Sequence, residues 1–270
     1  MRLTRPALLL LLLTGLLLFF ALGNHHLQGS TESRVAGIAM QMQVSGDWVT
    51  PSLLNEPFLE KPPLSLWLDA TAIDLFGGEL WAVRLVSALA GLSCVMLLYA
   101  MLRRMGRPVA LAWTAAAMLA TMASFWDNAR QVGEDALLTL GVTLALLAFY
   151  QASRHIRLHL GSWLMFAAGI AIATLSKGVL GLALPGVVIF VYLLCQSLIE
   201  KQRVLRNWLR PALFTLLGLI PLLIWLCVLY QRGGLHAVGE VLWTNSVGRF
   251  SGSFVEAGHY EPFYYYLRKL

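Results

Sequence analysis

The sequence predicts an all-α polytopic membrane protein. Apolar residues make up 58% of the 270 positions and charged residues only 13%, too greasy a balance for a soluble domain of this size. Long apolar runs recur at about 7–23, 80–102, 108–126, 135–152, 160–176, 178–198 and 211–230. Each is near the roughly 20 residues that a helix needs to cross a hydrocarbon core of about 30 Å. Every backbone amide in that core must be paired, so helices are expected rather than an open sheet.

Charge supports the same topology. The start (Arg2, Arg5) and the segments 103–107, 154–157 and 201–210 hold 11 of the 20 basic residues, with one of the 14 acids, Glu200, beside them. Basic loops stay cytoplasmic. A cytoplasmic N-terminus with seven spans then puts 24–79, 127–134, Lys177 and 231–270 outside. The net charge of +6 is spread over separate loops, so it marks topology and not nucleic-acid binding. Cys94, Cys195 and Cys227 all fall inside expected spans and read as small buried hydrophobes. For the first span a cleaved signal peptide is the alternative, since residues 2–23 have a basic start, an apolar run and a small-residue end. The run of 17 is long for a signal, and a membrane span is the reading kept.

The longest segment outside the spans before the tail, Gly29 to Leu66, carries the polar chemistry. Asn24-His25-His26 precedes it, and paired histidines beside a span end read as interfacial. Val35, Ile38, Ala39 and Met42 recur at helical spacing with Thr31 as an N-cap. The helix ends at Ser45-Gly46-Asp47 and is expected to lie on the membrane surface. Glu32, in its first turn, is either a carboxylate favoured by the helix dipole or an acid facing a substrate. Trp48 to Pro63 is expected to be extended, with Trp48 and Trp67 in an interfacial belt and Pro63 at N1 of a following helix. Glu60-Lys61-Pro62-Pro63 is either a surface ion pair of little energetic value or an acid, or metal ligand, beside a phosphate-binding ammonium.

Further along, Arg84 lies one turn into the second span, where an arginine needs the interface or a partner. Glu134 and Asp135 stand at the outer mouth of the fourth span, with Arg130 just before them. A helix start explains one acid well and two less well. Lys177, between two spans with almost no loop, either snorkels or contacts a phosphate. The tail holds Arg249, His259 and Tyr264-Tyr265-Tyr266. The tyrosines alone fit an interfacial belt, and His259 alone is a weak ligand candidate. The chain stops at Arg268-Lys269-Leu270 without a terminating structure, which suggests a fragment.

Together these pieces resemble a known family. The order is a single span, a Glu-containing helix followed by SGDWVTP, then NEPFLEKPP, WAVRLVSALAG (81–91), EDALLTL (134–140), SKGVLGLALP (176–185) and NSVGRFSGSF…HYEPFYYYL (245–267). This resembles the bacterial GT-C membrane glycosyltransferases that use polyprenyl-phosphate sugars, among them lipid A aminoarabinose transferases and protein O-mannosyltransferase-like enzymes. The resemblance runs over about residues 7–267 and covers the N-terminal half of longer proteins.

It implies a GT-C-like helix bundle with periplasmic amphipathic helices, placed in the cell inner membrane with its active site on the periplasmic side. The implied partners are a polyprenyl-phosphate-linked sugar donor and membrane lipid, and the implied reaction is an inverting transfer to lipid A, protein or glycan. By the same resemblance Lys61 meets the lipid phosphate, and Arg249, Tyr264 and Tyr265 line up with the family's tail segment; Arg84 and Lys177, read from their positions, are the further candidate substrate contacts. Glu60 and His259 match positions for a divalent metal, and Asp135 matches a second acid.

One departure matters. The family usually has Asp-Glu where this chain has Thr31-Glu32, and threonine cannot serve as a carboxylate base. Three readings follow: Glu32 or Asp135 takes the role, the acceptor is already ionised, or the chain is inactive. The rivals are a catalytically inactive lipid-binding relative and a secondary transporter. A transporter predicts midplane ionisable groups and repeated halves, and neither is visible in the sequence.

Overall fold

The computed structural model describes residues 4–154, 158–199 and 205–248. Ten helices follow one another among them: α1 (Arg5–Phe19), α2 (Gly29–Ser45), α3 (Leu64–Phe76), α4 (Leu80–Arg104), α5 (Val109–Thr121), α6 (Ala123–Asn128), α7 (Asp135–Ser153), α8 (Leu160–Lys177), α9 (Val179–Ile199) and α10 (Leu205–Gly239). A π-helical stretch, Glu240–Gly248, closes the described part. Five segments, α4, α7, α8, α9 and α10 with the start of that stretch, are long and apolar enough to cross a membrane. The helices α1 and α5 are shorter apolar helices.

The expected 7–23 span stops at Phe19 because its end is capped from another part of the chain. Arg130 Nη1 donates to the carbonyls of Leu17, Leu18 and Phe20 at 3.2, 2.8 and 2.9 Å. These are groups that a helix C-terminus leaves unsatisfied, at its negative dipole end. Ala21 then takes a positive φ of 54°, which turns the chain out of the helix. The expected 108–126 span likewise breaks at Met122 (ψ 125°), and the short α6 lays Trp126 against α1 through its indole N–H to Leu17 O. In the other direction, α10 runs past the expected end at 230. It passes Pro211 and Pro221 and kinks at Gly234 (φ 63°, ψ −160°).

Helix α2 starts two residues before Thr31, with Gln28 as its N-cap, and ends at Gly46 in the left-handed conformation. Its apolar stripe (Val35, Ile38, Ala39, Met42) is spent on protein. It packs against Leu66, Ala70 and Ile73 of α3 and Val83 of α4, so the expected contact with the membrane surface is not the use of this face. The extended segment after it holds an unexpected two-stranded antiparallel hairpin, β1 (Ser52–Leu53) and β2 (Glu56–Pro57). Leu54 and Asn55 both take positive φ in its two-residue turn, the geometry that matches strand twist. Asp47 and Trp48 are tied inward by Arg232 to Asp47 (2.6 Å) and Trp67 Nε1 to Trp48 O (2.6 Å).

The crossing of α7 and α8 fixes the polar end of the bundle. A Cβ on Gly141 would stand 2.6 Å from Ala173 N, and one on Gly169 would stand 2.5 Å from Ala145 N. Small residues let the two backbones approach this closely, as in membrane helix pairs generally. Because the helices are antiparallel, the start of α7 meets the end of α8, and Asp135 meets Lys177.

Candidate functional site

Three connected features occupy that end: a closed ion pair, a chain of alternating cations and carboxylates, and the clefts beside them. The closed pair is Glu32 with Arg84. Arg84 Nε and Nη2 reach the two Glu32 oxygens at 2.8 and 3.0 Å. The remaining guanidinium donors go to the carbonyls of Leu22, His25 and His26 at 3.0, 2.8 and 3.1 Å. Glu32 also accepts from the backbone amides of Gln28 (2.6 Å) and Val132 (3.0 Å).

Arg84 therefore spends all five donors, and Glu32 fills about four lone-pair sites. Glu32 is 1% exposed. Burial pushes its carboxyl up, but Arg84 and the two amides outweigh that and hold it below the usual carboxylate range. As placed, Glu32 has no lone pair for a proton and Arg84 no donor for a substrate. The two expected site residues join α2, α4, the 22–28 segment and the turn before α7. His25 and His26 enter through their carbonyls.

The second feature alternates cations and anions. Arg34 Nη2 lies 3.2 Å from Glu60 Oε2, and Glu60 Oε1 lies 3.7 Å from Lys61 Nζ. Lys61 pairs with Glu134, Lys177 pairs with Asp135, and Lys177 Nζ also lies 3.8 Å from Glu134 Oε1. Three cations and three carboxylates thus share one run. Pro62 packs its ring 3.5 Å from the position a Cβ would take on Gly178, whose φ is +55°. That contact sets the Glu60-Lys61 segment beside the end of α8. Expected residues Glu60, Lys61, Asp135 and Lys177 are brought together here. Arg34 and Glu134 join them without having been singled out as site residues.

The clefts follow from this arrangement. A polar cleft of about 690 Å³ is lined by Gln28, Thr31, Asn128, Gln131, Glu134 and Asp135, with Glu32 in its wall. A smaller cleft of about 360 Å³ lies between α2 and α3, with Arg34, Glu60, Lys61, Ser65 and Glu134 around it. Glu134 is common to both. Asp135 and Asn128 also border an apolar crevice of about 900 Å³ formed with Leu119, Met122, Phe125 and Ala136. A polar cleft bordered by an apolar crevice suits a molecule with a polar head and a greasy tail. Thr31, the residue at the departure, is exposed at the polar cleft, whereas Glu32 in its wall is buried. The Asp135 side chain is half exposed.

One turn after Ser65 on α3, Asp69 is buried at 1% exposure. Burial first, and then the charge on Glu134, push its carboxyl well above the usual carboxylate range. The signal in the sequence was a lone acid in the apolar run LSLWLDATAI.

The expected metal set is not assembled among the described residues, where no group of three or more His, Cys, Asp or Glu side chains converges. Glu60 already faces two cations, Arg34 and Lys61, and its partner by resemblance, His259, lies outside the described residues, as do Arg249, Tyr264 and Tyr265. Of the expected metal pair, only Glu60 is among the described residues.

The sequence model of the dolichyl-phosphate-mannose-protein mannosyltransferase family matches residues 60–225. The chain belongs to this family. It is 30% identical over 261 residues to the undecaprenyl phosphate-alpha-4-amino-4-deoxy-L-arabinose arabinosyl transferase of Pseudomonas aeruginosa (strain LESB58), covering 96% of this chain and 46% of that protein. The fold matches ArnT from Cupriavidus metallidurans in the apo state with a TM-score of 0.73 at 26% identity, over 96% of this chain and 46% of that one. The same protein bound to undecaprenyl phosphate matches with a TM-score of 0.72 at 27% identity, over 84% of this chain and 42% of that one. The expected GT-C-like helical membrane fold is the fold observed. The chain spans about half the length of the curated relatives it matches.

Proposed function

We propose that the protein carrying this chain is a membrane glycosyltransferase. In this reading it moves a sugar from a polyprenyl-phosphate donor to an acceptor such as lipid A, protein or glycan, with inversion. The single observation that carries the reading is the pair of lysines, Lys61 and Lys177, gathered around Glu134, a carboxylate that lines both clefts, beside the half-exposed Asp135. Sugar transfer from a phosphate needs stabilisation of the departing phosphate, and fixed cations in a partly water-excluded site supply it. The undecaprenyl phosphate named for the arabinosyl transferase relatives and bound to the structural neighbour is in keeping with a polyprenyl-phosphate ligand.

The roles follow from geometry. Lys61 and Lys177 take the phosphate by exchanging their carboxylate partners for it. Asp135, half exposed and at the cleft, is the carboxylate available to a hydroxyl acceptor as a base, whereas Glu32 is committed to Arg84. The lipid tail lies along the apolar crevice beside α5, α6 and α7. The protein sits in the inner membrane with the N-terminus cytoplasmic and this end periplasmic, in line with the basic segments 103–107 and 154–157 at and after the C-terminal ends of α4 and α7.

A second reading has one observation in its favour. Thr31 faces the cleft where the family usually carries an acid, which fits a relative that binds the lipid without transferring the sugar. Transfer from labelled polyprenyl-phosphate sugars, measured in membranes carrying the protein, separates the two. Transfer supports the enzyme. Lipid binding without transfer from any donor leaves the binding protein.

A further inference from the structure

Asp69 and Ser65 are four residues apart on α3 and so share a helix face. Ser65 lines the smaller cleft beside Lys61 and Glu134, and Asp69 lies one turn further in. Asp69 Oδ2 is buried and has no hydrogen-bond partner among the described residues. A buried carboxyl oxygen without a partner is unfavourable and calls for an explanation.

The elements packed on α3 carry Glu32 and Arg34 (α2), Arg84 (α4) and Lys177 (α8). The connecting segments add Glu60, Lys61 and Glu134. Glu32 and Arg84 are closed on each other, and Glu60 holds Arg34. Glu134 is the charged group that bears on Asp69.

Glu134 is 4% exposed and is held by Lys61 and Lys177. A phosphate that takes these lysines leaves its carboxylate buried without a counter-charge, which is strongly unfavourable. A neutral carboxylic acid nearby can satisfy it by donating one hydrogen bond, so that two carboxyl groups share a proton. We propose that Asp69 is a positioning residue whose carboxylic O–H receives the Glu134 carboxylate when a lipid phosphate displaces it from Lys61. Asp69 touches neither lipid nor sugar; it makes release of the lysines inexpensive. The inference rests on the reading that Lys61 meets the phosphate.

The test uses the full-length protein in nanodiscs with undecaprenyl phosphate as the probe, followed by binding and by infrared difference spectroscopy. On binding, the wild-type protein should show a protonated-carboxyl C=O band shifting to lower frequency, and Asp69→Asn should lack that band. Asp69→Leu should weaken binding roughly ten- to hundredfold, and Asp69→Asn, which keeps an N–H donor, should recover affinity to within about threefold of wild type. If Asp69→Leu does not fold, the band in wild type and its absence in Asp69→Asn decide alone. Wild-type protein that binds the lipid with no shifted band overturns the proposal. So does folded Asp69→Leu with wild-type affinity, or folded Asp69→Asn no better than folded Asp69→Leu. Lys61→Ala separates the two levels: unchanged lipid binding there removes the phosphate from Lys61, and the Asp69 proposal falls with it. Weakened binding in Lys61→Ala beside an unshifted wild-type band overturns the Asp69 proposal alone.

Discussion

Arg84 and Glu32 are closed on each other: the guanidinium has given every donor and the carboxylate has filled every acceptor site. Arg84→Leu leaves Glu32 charged and buried. The expected loss of stability is about 3–5 kcal/mol, the range for removing one partner of a buried pair. The double variant Glu32→Leu/Arg84→Leu should be less damaged than the sum of the single changes. Thermal unfolding in detergent, run as a double-mutant cycle, measures both.

The same pair sets a pH dependence. The Glu32 carboxyl is held below its ordinary value by Arg84 and two amides against the opposing effect of burial. Its ionised form is therefore favoured in the folded state. That contribution is present above the unfolded-state value and is lost as pH falls through the lower folded-state value. Acid unfolding of Glu32→Gln should have a shallower pH dependence than wild type below about pH 4.5, the ordinary range of a glutamate.

Asp135 and Glu32 should behave differently in transfer assays. Asp135→Asn is expected to lower kcat for a hydroxyl acceptor by about 10²–10⁴-fold, the usual worth of a general base, while the unfolding temperature stays near wild type. Glu32→Gln is expected to lower the amount of folded protein, with the activity per folded molecule changed less. Folded protein quantified beside the initial rates separates the two effects.

Thr31→Asp places a carboxylate at the cleft. For a hydroxyl acceptor the expected gain in rate is on the order of 10²-fold, again the scale of base catalysis. For an acceptor that is already an ionised phosphate, no gain is expected. Running both acceptor types with the one variant shows which chemistry the threonine accommodates.

Gly141 and Gly169 hold the crossing that brings Asp135 to Lys177. Gly169→Leu must push α8 off α7, because even a Cβ would stand 2.5 Å from Ala145 N. Overpacking of this kind costs about 1–3 kcal/mol or more. Both the unfolding temperature and the apparent affinity for donor lipid should fall together.

Much of this arrangement is legible in the sequence because membrane helices announce themselves by length and polarity. Long apolar runs place α4, α7, α8, α9 and α10, and the acids and lysines left at their outer ends mark the site. Helix ends are less legible because they depend on residues far away. The end of α1 at Phe19 is set by Arg130, more than a hundred positions on. The start of α2 is set by Glu32 reaching back to the Gln28 amide, not by Thr31. The roles of Glu32 and Arg84 are hidden for the same reason: Arg84 reads as an arginine that needs the interface or a partner, but nothing in the sequence names Glu32 as that partner until the fold joins them across 52 positions. The hairpin at 52–57 escaped because its turn, Leu54-Asn55, lacks the glycine that usually signals positive φ. Asp69 shows only as an acid out of place in an apolar helix.

The first measurement is sugar transfer from a panel of labelled polyprenyl-phosphate sugars by membranes carrying the full-length protein, with Lys61→Ala and Lys177→Ala beside wild type. The expected result is transfer by wild type with at least one donor, falling by about tenfold or more when either lysine is lost, as for removal of a charge-assisted hydrogen bond to phosphate. Full transfer in both variants would contradict the phosphate site placed here. No transfer by folded wild-type protein that still binds the donor lipid would contradict the enzyme itself.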